Sequence, residues 1–175
     1  EHVSVVGHSM GGAIATIISD AFDADTLALL APALVIPSLP VMQVRLLRHV
    51  VRRKKVDWQP DPDYHFYYEG DADDDAFLGS EYWSYQYPKL LWELERVRRQ
   101  AEACIGHLAA DTLSISGGRD ATIPQEASIL VTSKPKGVNK HLHIEEAGHL
   151  MPYDKNIDAQ NEAMAAVVAW MEGRR

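Results

Sequence analysis

Apolar residues along this chain follow two alternating spacings. Short runs with strand composition occur at 2–6, 26–31, 112–116 and 140–144, each bounded by glycine, proline, acidic or other turn-forming residues. Between them lie stretches where apolar residues recur every three or four positions, the period of one helical face. Ile14, Ile17, Ile18 and Ala21 form one such face in a segment reaching about Phe22. Leu90, Leu94, Val97, Ala101, Cys104 and Leu108 form another in a long segment opened by Pro88. Pro124 marks a further helix start, and Ile157, Met164, Val167, Val168 and Met171 define an inward face over 156–172. The first two strands are apolar without alternation and are separated by a helix. That pattern predicts an α/β fold, a mostly parallel sheet with helices on both faces.

The pattern breaks between 33 and 87. Four prolines occur by Pro62, and a basic, helix-like stretch runs over 41–55. An acidic patch spans 69–75, and eleven of the fourteen aromatic residues lie from Trp58 to Trp92. We read 33–87 as a cap inserted into a core made of 1–32 and 88–175. Its aromatic side chains, Trp83 and Tyr85 among them, either line an apolar pocket that binds substrate or give the insertion a small core of its own. Arg45, Arg48, Arg52, Arg53, Lys54 and Lys55 read as the solvated face of a cap helix, with a membrane-surface helix or an anion site as alternatives. The run from Asp71 to Asp75 fails as a calcium loop, because Ala76 holds the glycine position and Tyr82 that of the bidentate glutamate.

The 175 residues, 46% apolar and 24% charged, suffice for one domain with a hydrophobic core. A net charge of −8 argues against nucleic acid as the main partner. No apolar run reaches membrane-spanning length, so no stable insertion into a bilayer is expected. One cysteine, Cys104, allows no internal disulfide and suits a reducing, cytoplasmic setting, where it reads as a small buried apolar residue. The chain opens on Glu1 within a strand pattern, which we read as the start of a fragment. A homo-oligomer is compatible with this composition.

Candidate chemistry gathers where strands end. The stretch from Gly7 to Gly12 reads Gly-His-Ser-Met-Gly-Gly between a strand and a helix. A G-x-S-x-G match arises by chance in roughly 5% of chains of this length, so its strand-to-helix context carries the weight. The turn forces Ser9 outward at the carboxyl end of its strand, and glycines two before and two after should relieve the crowding. The N–H of Met10 and the helix N-terminus then face the point where negative charge would develop. The strand at 112–116 ends in Gly117-Gly118-Arg119-Asp120, and that at 140–144 ends in Ala147-Gly148-His149. Ligands bind at this edge of an open parallel sheet. Ser9 as nucleophile needs a base, for which His149 is assigned; Asp120 would hold the imidazole tautomer. Asp120 can also be read as a turn former before Pro124. Asp154 is the reserve acid. His8 reads as a packing or orienting residue, and His141 and His143 as strand-face residues rather than metal ligands.

The motifs Gly7 to Gly11, Gly117 to Asp120 and Ala147 to His149, in that order, resemble the α/β-hydrolase superfamily. The cap after the second strand and the phrase Gly-Gly-Arg-Asp-Ala-Thr-Ile-Pro look like carboxylesterases and monoacylglycerol lipases with a small lid. The resemblance covers nearly all of 1–31 and 88–175. It implies a serine esterase working through an acyl-enzyme on short- to medium-chain or aromatic esters, with no metal or organic cofactor. The early strands of that family, and the loop giving a second oxyanion N–H, have no counterpart in the sequence. Residues 1–175 alone are therefore expected to associate and to be feebly active. A thioesterase or acyltransferase of the same fold and a non-catalytic binding fragment are the alternatives.

Overall fold

A computed structural model describes residues 2–57, 84–134 and 136–173. In chain order they form β1 (Ser4–His8), α1 (Met10–Ala21), β2 (Thr26–Leu30), α2 (Val41–Leu47), β3 (Lys54–Lys55), β4 (Tyr85–Gln86), α3 (Pro88–Cys104), β5 (Asp111–Gly117), α4 (Glu126–Thr132), β6 (Asn139–Ile144) and α5 (Ile157–Glu172). A 3-10 turn, Met151–Tyr153, precedes α5. The chain divides into two compact units, Glu1–Ser38 with Arg96–Arg175, and Leu39–Glu95. The polypeptide leaves the first unit after Ser38, later than the composition change at 33 suggests, because Ala33 and Leu34 are buried in its core.

The first unit is built on a parallel sheet in the order β1-β2-β5-β6. His8 lies beside Leu30, Leu30 beside Ile115, and Ile115 beside Leu142. That register brings the carboxyl ends of all four strands to one edge. All five residues of β2 are buried, as its unalternating sequence Thr-Leu-Ala-Leu-Leu requires of a strand with neighbours on both sides. Leu27, Leu29, Leu30, Leu34, Leu108, Leu113 and Ile115 are among the large side chains of the core. Each stabilises the fold by about 1.5–3 kcal/mol through removal from water. Helix α1 packs on β1 and β2, α4 on β5 and β6, and α5 on β2, β5 and β6.

The helices turn differently from the expectation. On α1 the buried residues are Gly12, Ala13, Ala15, Thr16 and Ser19, whereas Ile14 and Ile18 are 39% and 41% exposed. On α5 the buried residues are Ala159, Ala163 and Val167, while Ile157, Met164 and Val168 face outward. Small side chains let a helix backbone lie close to the sheet; of the large residues expected inward, Ile17, Val167 and Met171 pack on the core, while Ile14, Ile18, Ile157, Met164 and Val168 are turned away from it. Helix α3 buries Ala101 and Cys104 but exposes Leu90, and it stops at Cys104, leaving Leu108 buried beyond its end.

In the second unit the basic stretch is helical only over Val41–Leu47, and β3 then pairs antiparallel with β4. Two of its cations lie on rings: Arg48 sits 4.2 Å over Trp92 and Arg53 4.5 Å over Tyr85. Asp71 to Asp75 and most of the aromatic cluster lie outside the described residues. Among the described residues no helix is long and apolar enough to cross a membrane.

Candidate active site

Ser9 is the one residue between β1 and α1, at φ 52° and ψ −121°. Left-handed φ at a non-glycine residue costs on the order of 1–3 kcal/mol, so the surroundings must hold it. Ser9 N–H donates to Leu30 O at 3.0 Å, and Ser9 O accepts from Gly12 N–H and Ala33 N–H, both at 2.9 Å. A Cβ on Gly7 would overlap Gly11 O and lie 2.7 Å from Ala15 Cβ. One on Gly11 would meet nothing within 4 Å, whereas one on Gly12 would press on Pro32 at 3.0 Å. The crowded glycine after Ser9 is therefore Gly12, packed against Pro32 just past β2, and not Gly11 as the motif suggests. Met10 opens α1, where the first N–H groups have no acceptor within the helix.

Asp120 follows β5 in a tight turn. Its Oδ1 accepts from Thr122 N–H and Ile123 N–H, both at 2.8 Å, and its Oδ2 accepts from His149 Nδ1–H at 2.9 Å. The turn-former reading of Asp120 and its pairing with His149 are thus two halves of one carboxylate, whose side chain is fully shielded from solvent. With Nδ1 donating, His149 Nε2 is left as acceptor for the Ser9 hydroxyl, 3.0 Å away. Ser9, His149 and Asp120 are brought together in one hydrogen-bonded line.

His149 reaches Ser9 from β6, with β2 and β5 in between. Its loop lies on the end of β5: Gly118 N–H donates to Ile144 O at 2.9 Å and Arg119 N–H to Ala147 O at 3.0 Å. A Cβ on Gly117 or Gly118 would overlap the carbonyl of Ala147 or Glu145. Those two glycines are what allow the crossing. The carboxylate on His149 Nδ1 is that of Asp120, not of Asp154, the reserve acid. Asp154 Oδ2 accepts from Gly148 N–H at 2.6 Å and its Oδ1 from Asn156 N–H at 3.0 Å, so it braces the loop. His8, half-buried beside the line, carries a pKa lowered chiefly by burial, a backbone hydrogen bond to His149 opposing the shift.

His141 Nε2 and His143 Nδ1 both meet Ser116 Oγ, at 2.7 and 2.9 Å, on the strand faces where their alternation put them. Burial, then His143, lowers the pKa of His141. Among the described residues no cluster of three or more His, Cys, Asp and Glu side chains is arranged to hold a metal ion. Tyr85 lies on β4 in the second unit under Arg53, and Trp83 is outside the described residues.

A family model described as serine aminopeptidase, S33, matches residues 1–156. No curated protein matches the sequence. Among solved structures, a monoacylglycerol lipase from Paleococcus ferrophilus is similar at TM-score 0.74 and 18% identity, over 100% of this chain and 70% of its own. A soluble variant of monoglyceride lipase from Saccharomyces cerevisiae, solved with a substrate analogue, gives 0.70 and 15%, over 97% and 61%. A metagenome-derived lipolytic enzyme gives 0.70 and 14%, over 96% and 65%. The chain thus spans about two thirds of the length of these structures, and at such identities the likeness is one of fold.

Proposed function

Since the chain belongs to the serine aminopeptidase S33 family of α/β hydrolases, we propose that it is a serine hydrolase cleaving small carboxylic esters of short- to medium-chain or aromatic acids. The observation that carries this reading is the line from Ser9 Oγ to His149 Nε2, 3.0 Å, and from His149 Nδ1 to Asp120 Oδ2, 2.9 Å. The ester class is taken from the lipases among the structures of this fold. Its one cysteine, Cys104, is buried with a pKa pushed up to about 11, mainly by burial and then by Asp20; a single free thiol is compatible with a cytoplasmic setting.

As Ser9 Oγ attacks the ester carbonyl carbon, its proton passes to His149 Nε2, and the oxyanion that forms faces the N–H of Met10. Asp120, held by two backbone amides, keeps the His149 ring oriented and stabilises the imidazolium. Collapse of the tetrahedral adduct breaks the bond to the alkoxy oxygen, which takes the proton from His149 and leaves as alcohol. Water then attacks the acyl-enzyme with His149 as base, releasing the acid and restoring Ser9.

Labelling with a fluorophosphonate, together with turnover of p-nitrophenyl acetate, tests this. The adduct should form on Ser9, and Ser9→Ala or His149→Ala should abolish both readouts. Asp120→Asn should lower turnover by on the order of 10⁴-fold. Wild-type turnover by Ser9→Ala would remove the mechanism. Faster cleavage of acyl thioesters, or of an aminoacyl p-nitroanilide, than of oxygen esters would move the substrate class.

A further inference from the structure

His8 touches the backbone of His149. Its Nε2 lies 2.7 Å from His149 O, and the two rings stand 5.1 Å apart between centroids, tilted by 46°. A carbonyl oxygen only accepts, so Nε2 of His8 carries the hydrogen, and the neutral ring suffices for the bond. On the other side of His149, Gly148 N–H is tied to Asp154 Oδ2 at 2.6 Å. The loop from β6 is thereby pinned just before and just after the residue that meets Ser9. His8 supplies the pin from β1, the strand that carries Ser9 itself. The span from the end of β1 to this loop, across the ends of β2 and β5, is thus crossed by a hydrogen bond from the chain neighbour of Ser9 to the main chain of His149.

We propose that His8 is a positioning residue: its Nε2–H holds the His149 carbonyl and so fixes the distance between His149 Nε2 and Ser9 Oγ. The inference rests on the roles proposed above for Ser9, His149 and Asp120. Burial favours the neutral ring in this place, and a proton on His8 would set a positive charge beside the imidazolium that forms on His149 during each turnover. A misplacement of about 1 Å at reacting atoms costs on the order of 10²-fold in rate, which sets the scale of the effect.

Three variants test it, assayed on p-nitrophenyl acetate with thermal melting as a check on folding. His8→Phe keeps a ring of similar bulk and removes the donor; His8→Ala removes both. Each should lower kcat by about 10- to 100-fold while KM stays within about twofold. His8→Gln, whose amide N–H can reach the position of Nε2, should recover most of the loss. Wild-type kcat in His8→Phe overturns the proposal, as does a His8→Gln variant no better than His8→Phe. Either result leaves the roles of Ser9 and His149 standing if Ser9→Ala is dead, whereas an active Ser9→Ala sinks those roles whatever His8 does.

Discussion

Ser9 is held in a strained backbone conformation by main-chain hydrogen bonds to Leu30, Gly12, Ala13 and Ala33, in a turn that Gly7 and Gly12 leave room for. The two glycines of the motif differ in kind. Gly7→Ala drives a methyl into the Gly11 carbonyl and should cost about 1–3 kcal/mol, like other insertions into packed regions. Gly11→Ala meets open space in a helix and should be neutral or stabilising by up to about 1 kcal/mol. Urea denaturation of both variants decides it, and equal destabilisation would mean that Gly11 is held by something other than space. The serine, the aspartate and the histidine stand where strand ends put them in the sequence. The amide partners of Asp120 Oδ1 and the bracing of Gly148 by Asp154 were not legible, because each depends on how a loop folds back on itself.

At the scale of elements, strands were more legible than helical faces. A strand buried on both sides announces itself by composition, and β2 does so throughout. A helix against a sheet is different, since close approach rewards small side chains: α1 and α5 bury mostly alanine, glycine, serine and threonine, and Ile14, Ile18 and Met164 turn outward while Ile17, Val167 and Met171 pack inward. Met10, Ile14, Ile18 and Phe22 make one exposed stripe at four-residue spacing on and just beyond α1. Beside it, β1 has β2 as its one strand partner among the described residues, with Val3 and Val6 more than 40% exposed. An unpaired edge next to apolar side chains invites pairing with another chain. We predict that the 175-residue polypeptide self-associates in sedimentation. Ile14→Lys with Ile18→Lys should lower its sedimenting mass while changing folding stability by no more than about 0.5 kcal/mol. A monodisperse unsubstituted chain would refute this.

Across the whole molecule the two units divide the residue types: Ser9, Asp120 and His149 belong to the first, and the aromatic-rich stretch belongs mostly to the second. If Trp83 and Tyr85 bind substrate, Trp83→Ala and Tyr85→Ala should shift the preferred acyl length among p-nitrophenyl esters more than turnover of the acetate; equal loss on every ester would exclude that role. The Ser9–His149 contact spans 140 residues of chain. On a logarithmic loop law, closing such a length costs roughly 4 kcal/mol of chain entropy. One hydrogen bond returns only about 0.5–1.5 kcal/mol. The contact cannot assemble itself; the four strands must first bring its ends together. If Ser9 is the proposed nucleophile, its labelling by a fluorophosphonate gauges sheet formation as well as chemistry, and during refolding the labelling should return no earlier than the circular dichroism of the sheet.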